Sequence, residues 1–397
     1  MRHSNTDVNI SKFENLVMFL MLCISGNPVF IYMESKYLYV VSAVIMFGLC
    51  VLKKKKLSSH KLIFWIVCTC VLFLFQNIIL ELTSINAEMN FLIRLYLSFL
   101  CASFFDFKFR EVYFKVMVMI CLISIPLYIL QIGGITFGFE FDRYFTMVFF
   151  NSIIPRGIDY HARNSGMFWE PGAFQGFIML VPLLYSDSLK QLWNRHKKGC
   201  IILLIAFVTT QSTTGYITFS MFVFLTIVFN TNKINIMTKS LMIMLTVIIF
   251  SYIWSQDFMG SKVIEQYEEA LALQEGDVSW NRMGAMIIDI DNILRHPIIG
   301  NGFMDESRYG VLGEYMKGTG NGFTGAINMF GIPFIILYFV GIYKNITYIS
   351  KINRIIFLFI VILLLNGEYF LNYHLFWSLL FIKVSTNNIN YKFIRCS

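Results

Sequence analysis

Three observations on this 397-residue chain predict an all-α integral membrane protein with about twelve transmembrane helices and two long external loops containing short helices. The first is composition: 57% of residues are hydrophobic, 17% aromatic and only 14% charged. Soluble domains carry about 25% charged residues, so this balance suits a chain solvated by lipid. The second is the recurrence of apolar runs long enough for helical spans, since a bilayer core takes roughly 17–25 helical residues. The third is the placement of lysine and arginine in alternate connections between those runs. Helix is the expected form throughout, because hydrocarbon offers no partners to exposed backbone amides.

The runs place helices near 16–32, 37–52, 61–80, 91–105, 112–132, 172–185, 200–211, 215–229, 240–254, 322–343, 355–366 and 370–384. The seventh and eighth are short and are separated by Thr209-Thr210-Gln211-Ser212-Thr213-Thr214-Gly215, so they form either two spans or one broken element. The chain then divides into helices 1–5 over 1–132, a first external loop over 133–171, helices 6–9 over 172–254, a large external loop over 255–321, and C-terminal helices with a tail over 322–397.

Charge sets the orientation. Lys53–Lys56, Lys108, Arg110, Lys190, Arg195, Lys197, Lys198, Lys233, Lys239, Lys344, Lys351 and Arg354 fall on one side, together with both termini. The other side carries Glu81, Glu88, Glu140, Asp142, Asp159 and Glu170. By the positive-inside rule the first side, with both termini, is cytoplasmic. The net charge of +8 is thus an orientation signal and does not point to nucleic acid. Arg2 and Lys12 precede an apolar run without a small-residue cleavage site, which predicts a retained first helix. None of the eight cysteines falls in the two long loops, so no disulfide framework is expected there.

The external loops carry the candidate chemistry. Arg163-Asn164-Ser165-Gly166-Met167-Phe168-Trp169-Glu170-Pro171-Gly172 sets an arginine and a carboxylate seven residues apart where the chain re-enters the apolar phase. Pro171 suits the first turn of a helix, so Glu170 either caps that helix, or contacts a sugar hydroxyl or acts as a base. Arg143, Arg156, Arg163, Arg282, Arg295 and Arg308 lie on the acidic side, where orientation signals disfavour them. Each alone suits a surface ion pair; gathered at one membrane-surface site they suit a pyrophosphate, which arginine binds through its planar fork. Arg163 and Arg282 lead this set, with Arg156 and Arg308 next. Arg94 either snorkels to the interface or joins the anion site. Glu368, in Asn366-Gly367-Glu368, is an acid at the external edge. His161 and His296 lack metal-ligand spacing, so a metal-independent site is expected. A helix over Val263–Gln274 and another from Trp280 to Arg295, capped by Ser279 and stopped by Pro297, are expected inside the large loop.

Arg163-x-x-Gly166-x-Phe168-x-Glu170-Pro171, then Gln211-Ser212-Thr213-Thr214-Gly215, Asn281-Arg282, His296-Pro297-Ile298-Ile299-Gly300-Asn301-Gly302 and Asn321-Gly322…Gly331-Ile332, come in an order that resembles the O-antigen and capsular polysaccharide polymerases. These are the Wzy-type enzymes of the O-antigen polymerase and ligase superfamily, and the likeness spans about residues 150–340. The resemblance implies a GT-C-like, metal- and cofactor-independent glycosyltransferase in a bacterial cytoplasmic membrane. It implies undecaprenyl-pyrophosphate-linked oligosaccharides as donor and acceptor, with a chain-length regulator and a flippase as partners. Carried onto this chain, it implies catalytic roles for Arg163, Glu170 and Arg282. Substrate contacts would come from Arg94, Arg156, His161, Arg308 and Asn321. Related ligases carry a histidine before the helix that follows the large loop; here that position reads Thr319-Gly320-Asn321-Gly322, which favours a polymerase. A ligase, or a flippase for lipid-linked oligosaccharides, is the alternative reading.

Overall fold

The computed structural model describes residues 10–32, 35–57, 59–141, 144–153, 162–230, 236–255, 264, 268, 282–310 and 320–383. Its helices are α1 (Lys12–Ile24), α2 (Pro28–Tyr32), α3 (Ser35–Leu52), α4 (His60–Ile79), α5 (Ile85–Phe105), α6 (Phe109–Ile132), α7 (Pro171–Leu184), α8 (Leu189–Thr209), α9 (Thr213–Asn230) and α10 (Ile236–Trp254). They continue with α11 (Arg282–Ile293), α12 (Asp305–Tyr309), α13 (Gly322–Phe330), α14 (Ile332–Asn345), α15 (Lys351–Gly367) and α16 (His374–Trp377). Local signals start several of them. Ser11 and Glu14 form a reciprocal capping box on α1, and Pro171 opens α7 where its missing N–H costs nothing.

Two helical runs among the described residues are long and apolar enough to cross a membrane, His60–Ile79 and Ile85–Ile132. The second would reach about 72 Å if straight, more than twice a bilayer core. Asp106, at φ 51° and ψ −129°, breaks it into α5 and α6. Large apolar residues such as Val44, Ile45, Phe64, Val67 and Leu74 stand exposed along α3 and α4. An apolar belt of that kind suits a hydrocarbon solvent. The protein is therefore mostly helical, with helices of membrane-spanning character.

The remaining expected spans differ in their physical course. The 16–32 run is two helices, interrupted at Ser25-Gly26-Asn27. The 322–343 run is α13 and α14, bent by 116° at Gly331, whose φ of +79° and the following Ile332-Pro333 end one helix and start the next. The 370–384 run contains only α16 flanked by 3₁₀ turns at Phe370–Asn372 and Ser378–Leu380. Its residues are apolar because they fill the centre of the bundle: Leu375, Phe376, Trp377 and Leu380 are buried, and the Trp377 indole donates to the Leu371 carbonyl at 2.8 Å. The seventh and eighth expected helices are separate, α8 and α9.

The first long loop holds strands where short helices were expected. β1 (Phe139–Phe141), β2 (Tyr144–Met147) and β3 (Phe150–Ile153) form an antiparallel meander, with Phe139 opposite Thr146 and Thr146 opposite Asn151. The runs Phe-Glu-Phe and Tyr-Phe-Thr-Met are rich in strand formers, and local preference overrides the helical setting. In the large loop α11 realises the helix expected from Trp280 to Arg295, ending at Ile293, four residues before Pro297. Ser279 and most of Val263–Gln274 lie outside the described residues.

An aromatic core joins the C-terminal plug to the rest. Phe91, Phe330 and Trp377 meet with centroids 4.9–6.1 Å apart, while Phe168 stacks on Phe177 at 4.3 Å. The helix pairs α3–α5, α6–α8 and α9–α15 carry the most extensive packing.

Candidate functional site

The turn from Ala162 to Glu170 is fixed from every side by buried amides. Asn164 is fully buried; its side-chain amide donates to Ser124 Oγ (3.2 Å) on α6 and Thr209 Oγ1 (2.9 Å) at the end of α8, while its carbonyl accepts from the Gly166 N–H at 2.9 Å. Asn151 on β3 donates its backbone N–H to the Gly166 carbonyl (2.6 Å) and its side chain to the Phe168 carbonyl (3.0 Å). Asn27, in the break between α1 and α2, donates to the carbonyls of Met167 (2.8 Å) and Val148 (3.0 Å). The Trp169 N–H donates to Gly26 O at 3.0 Å. Buried backbone groups need such partners, and here three asparagines supply them. The breaks that shorten the apparent spans are thus the points that hold this turn.

Glu368 is the second centre. It is 7% exposed, follows α15, and takes the Trp169 indole N–H on Oε2 at 3.2 Å. A Cβ on Gly172 would lie 2.2 Å from Glu368 Oε1, so the carboxylate reaches the first turn of α7 where this glycine leaves space for it. A carboxylate there is favoured by the exposed amides and dipole of the helix start. Gly322, at the start of α13, packs as closely against the Glu368 backbone: a Cβ there would lie 2.3 Å from the Glu368 carbonyl oxygen. One residue therefore ties together the end of α15 and the starts of α7 and α13.

The sequence-predicted residues divide into groups. Arg163 is half-buried directly before Asn164 and has no hydrogen-bond or ion-pair partner among the described residues. Glu170 stands at the N-cap of α7 in extended conformation, without a side-chain capping bond. Arg94 donates to the Asn372 carbonyl (2.8 Å) and Oδ1 (2.6 Å), and its guanidinium lies 4.8 Å from the Tyr39 ring centroid. Arg308 is buried and bonded to the Asp305 carboxylate, and it also reaches the Phe303 carbonyl at 3.5 Å. Asn321 caps α13 by accepting from Phe323 N and Thr324 N, and its amide donates to Asn366 Oδ1 at 3.1 Å. Arg156 and His161 lie outside the described residues; Arg282 opens α11, and its side chain lies outside them as well.

Arg94 and Arg308 approach the same segment, the one that follows α15. Burial pushes the Tyr369 hydroxyl up to about 12, and Arg308 and Arg94 both pull against that rise. The Tyr373 ring lies 4.9 Å from Trp169, linking this segment to the 163–172 turn. Arg94, Arg308, Glu368, Trp169 and Tyr373 thus gather around residues 368–373. The arrangement offers the Arg94 guanidinium for an anion, a carboxylate at a helix start, and the aromatic rings of Trp169 and Tyr373.

The glycine-rich stretches after α11 have a packing role. Fully buried Asp289 accepts from Tyr309 OH (3.2 Å), Thr324 Oγ1 (2.7 Å) and Asn328 Nδ2 (2.9 Å), fastening α11 to α12 and α13. Asn301 donates its side-chain amide to the Asn292 carbonyl and to Asn328 Oδ1, and Gln76 on α4 donates to the carbonyls of Ile299 and Met329. Asn27, Asn151, Asp289 and Asn372 were not singled out from the sequence. The signal for them was a polar residue inside an apolar run, which is costly unless paired.

No family model, curated protein or solved structure matches this chain.

Proposed function

We propose that this protein is a polysaccharide polymerase of the membrane: a metal-independent glycosyltransferase that joins glycan repeat units carried on undecaprenyl pyrophosphate. In this reading the chain is embedded in a bacterial cytoplasmic membrane, and the 133–171 and 255–321 segments face outward. An acceptor hydroxyl on one lipid-linked unit attacks the anomeric carbon of another. The new glycosidic C–O bond forms as the bond to the diphosphate oxygen breaks, and undecaprenyl pyrophosphate leaves with the electron pair. Glu170 receives the hydroxyl proton. Arg163 and Arg282 stabilise the charge growing on the diphosphate, with Arg94, Arg156, His161, Arg308 and Asn321 as substrate contacts.

The observation that carries this reading is Arg163: a half-buried guanidinium without a partner among the described residues, on a turn whose backbone is fixed by Asn27, Asn151 and Asn164. A preorganised donor aimed at developing charge contributes most in a site shielded from water, and losing one costs about 10²–10³ in rate. The order of motifs from Arg163 to Gly331 supports the same reading.

The test is glycan length in a deletion strain complemented with Arg163→Ala or Arg282→Ala. Variants that insert normally should leave single repeat units on the carrier or cell surface. Full-length chains from both would overturn the reading. Polymer retained on the carrier would indicate a ligase, and repeat units trapped on the cytoplasmic side would indicate a flippase.

A further inference from the structure

We infer that the start of α6, the end of α7 and the first turns of α8 enclose a binding site for a phosphate group, with Arg110 as its buried anchor and Arg195 and His196 at its mouth. The site lies at the far end of α7 from Glu170 and does not rest on the polymerase reading.

Arg110, the second residue of α6, is 9% exposed, and its guanidinium lies 4.2 Å from the centroid of the Tyr185 ring, just past α7. Its ion pair among the described residues is to Glu111, whose Oε1 stands 3.6 Å from Nη2, longer than a hydrogen bond. Arg110 Nε is buried without a hydrogen-bond partner among those residues. So is the Tyr185 hydroxyl, although Arg110 and Glu111 both act on it electrostatically. The buried Tyr348 hydroxyl, which feels Arg110 and Asp187, is a third such group. Asp187 itself is taken by Ser350 and Asn353. Buried polar groups left without partners are costly, and all three of these can donate. The group that answers them is an acceptor.

A cavity of about 20 Å³ opens at this place, with Arg110, Glu111, Tyr185, Ser188, Arg195 and His196 in its lining. That is room for about one oxygen atom. One oxygen of a phosphate fits inside against Arg110 while the rest stays at the mouth, where Arg195 is exposed and His196 half-buried. The backbone sets His196 there: at φ −131° and ψ 38° it interrupts α8, and its ring lies 5.1 Å from Phe114, one turn beyond Arg110. Glu111 is the one acid in the lining, against two arginines, so positive charge is in excess. Guanidinium forks suit the oxygens of a phosphate. Trp193, 44% exposed on the same turns of α8, stands in sequence among Lys190, Lys197 and Lys198, a pattern that suits a layer of anionic lipid headgroups. A phospholipid headgroup and free phosphate both offer the chemistry the site would take.

Binding without turnover tests this. The full chain in detergent micelles is titrated with dioleoyl-phosphatidylglycerol, with inorganic phosphate, and with dioleoylglycerol, which lacks the phosphate, and binding is followed by native mass spectrometry. Phosphatidylglycerol should bind, and dioleoylglycerol should not displace it. Arg110→Gln should weaken the complex at least tenfold. Arg195→Gln, at an exposed position where the fold is not at stake, should weaken it several-fold, and Lys56→Gln, an exposed charge outside the cavity, should leave it unchanged. Inorganic phosphate bound with the same dependence on Arg110 and Arg195, without phosphatidylglycerol, would assign the site to free phosphate and uphold it. The inference is overturned if neither ligand binds, or if Arg195→Gln binds as the unmodified chain does. It is also overturned if Lys56→Gln weakens binding as much as Arg195→Gln, since that marks general attraction to a basic surface.

Discussion

Gly172 and Glu368 approach so closely that a single methyl group at position 172 would fall 2.2 Å from the Glu368 carboxylate. That spacing lets the carboxylate sit on the first turn of α7 while Trp169 donates to its other oxygen. Gly172→Ala should push Glu368 away from the helix start and loosen the turn that carries Arg163 and Glu170. The expected outcome is a melting temperature lowered by several degrees in detergent and, under the proposed function, polymer formation reduced more than protein level. A variant with unchanged melting and normal glycan length would show that the approach is not needed.

Asn164 holds the same turn from below. Asn164→Ala removes bonds to Ser124 and Thr209 and leaves the buried Gly166 N–H without its acceptor. Each buried polar group left unpaired costs about 1–3 kcal/mol, so the variant should be among the more destabilising single changes in the chain. Asn164→Asp keeps the acceptor for Gly166 and loses the two donations, so it should lie between. Melting measured on wild type and both variants checks this order; an alanine variant as stable as wild type would contradict it.

The parts of this fold that could be read from sequence follow from local chemistry. Helices α3 to α6 lie close to their apolar runs because those runs are uninterrupted, and Pro171 marks the start of α7 correctly. The run at 370–384 misleads because a core-filling stretch and a lipid-facing stretch have the same composition; burial of Phe376 and Trp377 depends on partners distant in sequence. The 163–172 turn was legible from its Arg, Glu, Pro and Gly residues. Its dependence on Asn27, Asn151 and Glu368 was not, since Trp169 and Glu368 are 199 residues apart and no periodicity links them.

Asp289 should be structural. Three donors from two other helices converge on its carboxyl group, so Asp289→Ala strands Tyr309, Thr324 and Asn328 together. Loss of stability of about 3 kcal/mol or more is expected, against a smaller loss for Asp289→Asn, which keeps one acceptor oxygen. Limited proteolysis of the 282–310 segment in the two variants measures the difference. Equal cleavage of wild type and Asp289→Ala would rule out this role.

At the opposite, lysine-rich end, Glu14 links three elements and gives a pH signature. Its carboxylate is capped by Ser11 N and lies 3.2 Å from Lys53 Nζ and 3.3 Å from Lys108 Nζ. Burial raises its proton affinity, yet the Ser11 amide and the two ammonium groups outweigh that and hold it below the ordinary 4.5. A lowered folded value means that the stabilisation is fully present above the unfolded value and disappears as pH falls through the folded one. Glu14→Gln keeps the shape and removes the charge, so it should melt below wild type at pH 6–8 by an amount on the order of 1 kcal/mol, the lysines being partly exposed. As pH drops below 4.5 the two melting curves should converge, because protonation makes wild type resemble the variant. A gap that stays constant down to the acid limit would mean that Glu14 acts through packing and not through its charge.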